Sequence, residues 1–180
     1  MFALDEGRTQ NVVDVHVRGE DGAWTAAGGI LNETPEWWAG GHGLYSTPRD
    51  YIRFQRALLR GGELDGQRIL QEATVDAAFN QIGTLDFPEV IETADPPITD
   101  SLHAGPGHKW GYGLLLNTND IPGRRRAGTG AWAGLFNTHF FVDRTTGVCA
   151  SIYTNSLPFI ETDGAWKLYG DFEEALYSAL

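Results

Sequence analysis

GRRRAGTGAWAGLFNTHFFVD, residues Gly123 to Asp143, sets glycines and a tryptophan close together and then runs straight into a strand-like segment. Small residues let a ligand lie against the backbone, so this grammar suits a sheet edge that a substrate approaches closely. Gly134 to Asp143 and Val148 to Asn155 read as a hairpin pair turning at Arg144 to Gly147. Arg124, Arg125 and Arg126 form the one basic cluster. Three arginines in a loop are expected at a solvated surface, with a carboxylate or phosphate contact as the alternative.

Working outward, Lys109 to Asn117 (KWGYGLLLN) reads as the preceding strand. Ile82 to His108 is rich in Pro, Gly and Asp, has no clear period, and is expected to be a long excursion over the surface. Further upstream lies the clearest helix. Thr47 is a natural N-cap, Pro48 suits the first helical position and Asp50 the third, while Tyr51, Phe54, Leu58 and Leu59 share a face and Gly61-Gly62 ends it. Leu64-Asp65-Gly66-Gln67 is a turn, followed by a shorter helix over Gln71 to Asn80. Asn11 to Arg18 alternates Val13, Val15 and Val17 with polar residues, which predicts a half-buried strand closed by a turn at Gly19 to Gly22. Ala26 to Gly43 reads as loop. At the other end, Gly164 to Leu180 places Trp166, Tyr169, Phe172, Leu176 and Leu180 at helical spacing and predicts a closing helix packed on the sheet.

The 180 residues are enough for one domain with a sizeable core, and 42% apolar with 12% aromatic residues places the chain among globular proteins. A net charge of −11 argues against nucleic acid, which needs a basic face. No apolar run reaches membrane-spanning length, and MFALDEGRTQ lacks the parts of a signal peptide, so a cytoplasmic setting is the default expectation. The single Cys149 excludes an intrachain disulfide. A lone cysteine in an apolar strand is expected to be buried and inert rather than a nucleophile served by His139 or His16. His16, His42, His103, His108 and His139 show no metal-ligand spacing, so no metal is expected; His42, His103 and His108 are candidates for lining a cleft. There is no Gly-x-Ser-x-Gly elbow and no phosphate loop.

Two segments together resemble the serine β-lactamase-like family, which includes AmpC-type β-lactamases, penicillin-binding proteins and family VIII esterases. One is GGHGLYSTPRDYIRFQRALLRGGELDGQRIL, Gly40 to Leu70; the other is Gly123 to Asp143 with the following Thr-Gly turn and the strand VCASIYTN. The resemblance implies an α+β fold, an antiparallel sheet flanked by helices, equivalent to the C-terminal portion of the β-lactamase/transpeptidase-like fold. Such enzymes pair a serine nucleophile with a lysine one helical turn later, a Tyr or Ser with an Asn, and a Lys-Thr-Gly strand. None of Ser46, Ser101, Ser151, Ser156 or Ser178 is followed by lysine three residues on. The family places that motif upstream of the matched segments, so residues 1–180 are expected to be a single incomplete domain, inactive alone.

Trp132-Ala133-Gly134 sits where the lactamases carry Lys-Thr-Gly, in the Trp-x-Gly form of esterase-like members. The resemblance therefore implies that Leu135, the strand residue after the glycine, donates its N–H to the acyl oxyanion. Trp132, Ala133 and Gly134 would bind substrate. Losing the lysine favours ester or amide hydrolysis over β-lactam hydrolysis, and no cofactor is needed. Tyr153-Thr154-Asn155 mimics the Tyr-x-Asn motif, and Lys109-Trp110-Gly111 the Lys-x-Gly strand, but both lie in the wrong place and are read as coincidences. The expected partners are a small ester or amide once the site is completed, and a missing N-terminal half or a second copy covering the unpaired sheet edge. A non-catalytic binding or assembly module derived from the same fold is the alternative.

Overall fold

The computed structural model describes residues 3–28, 36–38 and 40–180; the parts of the Ala26 to Gly43 loop reading that fall on 29–35 and 39 lie outside them. In chain order, a one-turn helix α1 (Glu6–Thr9) precedes strands β1 (His16–Arg18) and β2 (Trp24–Ala26) and helix α2 (Pro48–Leu59). The pair β3 (Glu63–Leu64) and β4 (Gln67–Arg68), helix α3 (Glu72–Ala78) and the pair β5 (Val90–Ile91) and β6 (Leu102–His103) follow. The chain then forms β7 (His108–Trp110), β8 (Leu115–Asn117), β9 (Gly130–Gly134), β10 (Thr138–Asp143), β11 (Val148–Tyr153) and β12 (Ser156–Leu157), and closes with α4 (Ala165–Ser178).

The central sheet runs β11-β10-β9-β8-β7 and is antiparallel throughout. Alternation along its strands gives each face to a different helix layer. Ala131, Phe141 and Ala150 point to α4 and pack with Tyr169, Trp166, Phe172 and Leu176. On the opposite face Val142 and Cys149 meet Leu58, Leu59 and Val75 of α2 and α3. Helices cover both faces of one antiparallel sheet, which is the α+β arrangement expected.

The α2 start forms as its residues dictate. Thr47 Oγ1 accepts from Asp50 N at 3.1 Å and donates to Asp50 Oδ2 at 2.9 Å, tying the first turn in both directions. Thr47→Ala should therefore cost about 1 kcal/mol, seen as a lowered urea midpoint with an unchanged m-value. The helix buries Gln55, Ala57 and Leu58, while Phe54 stays 40% exposed. Gly61 and Gly62 end it at φ 69° and 93°, and a Cβ on Gly62 would come within 2.2 Å of the Leu70 carbonyl oxygen. Leu64 pairs with Gln67 across Asp65 and Gly66, both in the left-handed region, as the hairpin turn requires.

Several expectations need correction. Lys109 to Asn117 is two strands, because the chain reverses at Gly111 to Leu114. Gly113 adopts φ 77°, Gly111 N donates to Leu114 O at 2.8 Å, and a Cβ on Gly111 would lie 2.2 Å from the Ala78 carbonyl oxygen. The Asn11 to Arg18 strand shrinks to three residues, the length over which β2 pairs with it, with β12 pairing two of them on the other side; Val15 is buried but Val13 is exposed. Leu180 lies beyond α4 and is exposed rather than packed. The arginine cluster is solvated only in part: Arg126 stays on the surface, whereas Arg125 turns inward, and all three meet carboxylates. Arg124 pairs with Glu174 at 2.6 Å and Arg126 with Asp120 at 3.0 Å, while the Arg125 side chain is nearly buried against Glu173. The cluster fastens the loop before β9 to α4 and to Asp120.

A second polar anchor closes the β10–β11 turn. Asp143 is fully buried and accepts from Arg126 N, Thr145 N, Thr146 N and the Tyr177 hydroxyl at 2.7–3.1 Å. Burial alone would push its carboxyl up, but these donors outweigh it and hold it below the usual carboxylate range.

Candidate active-site strand

Trp132, Ala133 and Gly134 end the middle strand of the sheet, β9. The pleat sends Trp132, paired with Phe140, to the α2/α3 face, and Ala133, paired with His139, to the α4 face. Trp132 is no ordinary core aromatic, for 39% of it is exposed. It stacks obliquely on Trp110 at 4.8 Å between ring centroids, and Phe87 meets both rings edge-on, at 5.1 Å from Trp110 and 6.2 Å from Trp132. The excursion 82–108 thus supplies Phe87 as the back wall of the tryptophan pair.

In front of Trp132 lies a groove of about 800 Å³ between the sheet and the two helices. Tyr51, Phe54 and Leu58 of α2, Ala73 and Ala77 of α3, Tyr112 of the β7–β8 turn and Phe140 are among its walls, and none of the described residues that line it is charged. In a chain that is 21% charged, an uncharged groove of this size suits an apolar ligand or an apolar protein surface. Tyr51 faces Phe140 and Tyr153 edge-on at 5.4 and 6.4 Å. Burial, with Tyr153 adding to it, pushes the Tyr51 hydroxyl up to about 12, so it stays protonated at neutral pH.

Leu135 does not continue the strand. It opens a three-residue turn, 135–137, beyond the last ladder pair Gly134–Thr138, so β10 begins at Thr138 and not at Gly134. Asn137 takes the left-handed position of that turn, φ 52°, a conformation that asparagine tolerates better than most residues. The Leu135 side chain is 47% exposed.

The other candidates scatter. Cys149 is half-buried beneath α2, and burial raises its thiol pKa despite Arg56. His139 is buried under α4, away from the groove. His108 is lowered by burial and contacts Gly105 O at 3.4 Å; His42 meets Trp37 edge-on. None of these three histidines lines the groove, and the described residues contain no cluster of three or more metal-ligating side chains. Asn155 donates its amide to the Val13 and Asp14 carbonyls, and Lys109 pairs with Asp86 at 2.8 Å, which gives both coincidental motifs ordinary structural work. Sequence reasoning missed Phe87, Trp110 and Tyr112 as companions of Trp132, because the β7–β8 reversal brings Trp110 and Tyr112 there and pairing of Asp86 and Phe87 along β7 brings Phe87.

A family model described as Beta-lactamase matches residues 4–171. The chain belongs to the β-lactamase family. Among curated relatives it is similar to lovastatin esterase of Penicillium rubens, 32% identical over 127 residues, covering 68% of this chain and 31% of that protein. Among solved structures it is similar to simvastatin synthase of Aspergillus terreus (LovD6 mutant), with a TM-score of 0.79 at 22% identity, covering 99% of this chain and 45% of that one. EstCE1, a hydrolase with promiscuous acyltransferase activity, superposes with a TM-score of 0.64 at 19% identity over 98% of this chain and 45% of its own. These structures share the β-lactamase fold with the chain, and it spans less than half the length of the family relatives it matches.

Proposed function

We propose that this β-lactamase-family chain carries the oxyanion strand of a serine ester hydrolase or acyltransferase and depends on a second half for its nucleophile. The observation that supports this most is the Trp132-Ala133-Gly134 strand end, with its tryptophan at the rim of an uncharged groove and a tight turn immediately after. An ester attacked by a serine would lay its carbonyl against the β9 end, and the Leu135 N–H, at the start of that turn, would donate to the developing oxyanion. Trp132 would form the apolar wall beside the acyl group. The Ser-x-x-Lys pair, in which the lysine relieves the serine hydroxyl of its proton, would come from the upstream half. Among the described residues no cation lines the groove, so an ester with an apolar body suits it better than a β-lactam carboxylate. The lovastatin esterase relative, by its name, acts on an ester, which supports ester chemistry over β-lactam chemistry.

The test combines this chain with an upstream half bearing Ser-x-x-Lys, fused or co-expressed, and follows p-nitrophenyl butyrate and nitrocefin. Ester turnover by the combination, with none by the chain alone and little on nitrocefin, is the expected result. Trp132→Ala should then lower kcat/KM about tenfold or more, the order of one lost apolar contact in a pocket. A stoichiometric fluorophosphonate adduct on the isolated chain would overturn the reading, since it would place an activated serine among these 180 residues. Should the combination stay inert while the two halves co-purify, the second reading, an assembly module that uses the same exposed groove, takes its place.

A further inference from the structure

Leu135 cannot hold its own backbone, because its side chain is half in solvent. What fixes the turn is Asn137, two residues on. This side chain is completely buried, and every polar atom it has is engaged. Its amide nitrogen donates to Pro158 O at 2.7 Å, Ser156 O at 3.1 Å and Ser156 Oγ at 3.3 Å. Its Oδ1 accepts from Ile160 N at 2.9 Å. Its main-chain oxygen accepts from Thr154 Oγ1 at 3.1 Å, and the neighbouring Phe136 O accepts from Ser156 N at 3.1 Å.

All these partners belong to one strap, residues 154–160, that leaves β11 and crosses beneath the turn. The strap itself is held in an uncommon shape. Asn155, Ile160 and the adjoining Glu161 have φ of 54°, 74° and 40°, and a β-branched residue such as Ile160 adopts that region only when its surroundings enforce it. One enforcing contact is Asn137 Oδ1, which accepts from Ile160 N. The Asn137 side-chain amide therefore supplies most of the bonds between turn and strap, with Thr154 and Ser156 adding bonds to the turn's main-chain oxygens, and the turn's first N–H is the one assigned above to the oxyanion.

We infer that Asn137 is the positioning residue of this site: it sets where the Leu135 N–H points by clamping the Leu135–Asn137 turn to the 154–160 strap. The inference rests on the oxyanion reading for its catalytic meaning, but the clamp itself is testable without it. Aspartate is the sharpest substitution, because it replaces the donating amide with a carboxylate facing the Ser156 and Pro158 carbonyls. Glycine is the most informative, because it keeps the positive φ freely and removes only the side-chain bonds.

The experiment measures backbone amide hydrogen exchange by NMR on the 180-residue chain and on Asn137→Gly and Thr154→Val. With Asn137→Gly, amides of 135–138 and of Ser156, Leu157, Phe159 and Ile160 should exchange at least tenfold faster while Phe141 and Val142 in β10 keep their protection. Thr154→Val, which removes the hydroxyl's bonds to the Asn137 main-chain oxygen and to Ser156 Oγ but leaves the Asn137 amide in place, should give a smaller change at the same sites, and it keeps the test alive if the glycine variant fails to fold. In the combined enzyme, Asn137→Gly should lower kcat at least tenfold with KM within twofold. Unchanged exchange at 135–138 in both variants overturns the clamp. Changed exchange with wild-type kcat in an active combination leaves the clamp but overturns its catalytic role. An inert wild-type combination counts against the oxyanion reading alone, and the exchange data still decide the clamp.

Discussion

Arg125→Met should destabilise the chain by about 3–5 kcal/mol, the usual consequence of leaving a buried charge without its partner. The Glu173 carboxylate is fully buried, and the Arg125 side chain is only 12% exposed. Arg125 Nε lies 3.0 Å from Glu173 Oε1, close enough for strong attraction although the N–H is not aligned for a hydrogen bond. The Arg125 main-chain N–H reaches the same oxygen at 3.4 Å, and Nη1 reaches the Tyr169 hydroxyl at 3.3 Å. The guanidinium also lies 5.7 and 5.8 Å from the ring centroids of Phe141 and Tyr169. Glu173 Oε2 has no hydrogen-bond partner, so the methionine variant would leave a carboxylate with almost nothing to replace water.

The double variant Arg125→Met/Glu173→Leu separates two meanings of that loss. Two buried charges removed together take their desolvation cost with them, so the double variant should recover most of the stability and come within about 1–2 kcal/mol of wild type. Urea unfolding of the four proteins completes the cycle. A single variant within 1 kcal/mol of wild type, or a double variant as unstable as the single, would show that the pair does not fasten the β9 loop to α4. The consequence reaches the site, because this loop feeds directly into Trp132.

Local chemistry explains what the sequence made legible. The α2 cap, the Gly61-Gly62 stop and the Asp65-Gly66 turn depend on neighbours within a few residues, and all three form as read. The β10–β11 hairpin is legible for the same reason. Lys109 to Asn117 misleads because its apolar pattern is continuous, while the reversal depends on Gly111 fitting against Ala78, more than thirty residues upstream. Arg125 misleads because three arginines in a loop look solvated until α4 brings Glu173 beneath them. Trp132-Ala133-Gly134 is legible by family resemblance. Its companions Phe87, Trp110 and Tyr112 carry no local mark, and neither does Asn137, whose partners lie about twenty residues away on the far side of a hairpin. The strand that carries the proposed chemistry could be read, but the residues that orient it depend on tertiary structure.

Acid should weaken this fold through His139. Its ring is 3% exposed beneath α4. It lies face to face with Tyr169 at 4.7 Å and with Phe159 at 6.0 Å, and edge to face with Trp166 at 5.7 Å. Nε2 has no hydrogen-bond partner among the described residues. Burial, assisted by the charge of Arg125, lowers the imidazole to about 4 from its ordinary 6.5. Between those values the unfolded chain binds a proton that the folded chain refuses. Stability from this group is therefore complete above pH 6.5 and is lost as pH falls toward 4, by about 3 kcal/mol in all. His139→Phe fills the same aromatic slot without a titrating nitrogen, and should lie within about 1 kcal/mol of wild type at pH 7. Carboxylates such as Asp143 add their own losses at lower pH, but they do so equally in both proteins. The difference in unfolding free energy, measured by urea at pH 7, 6, 5 and 4, should then shift steadily in favour of the phenylalanine variant. Parallel curves across that range would mean that the His139 ring accepts a proton in the folded chain as readily as in the unfolded one, and that the aromatic sandwich under α4 opens to water.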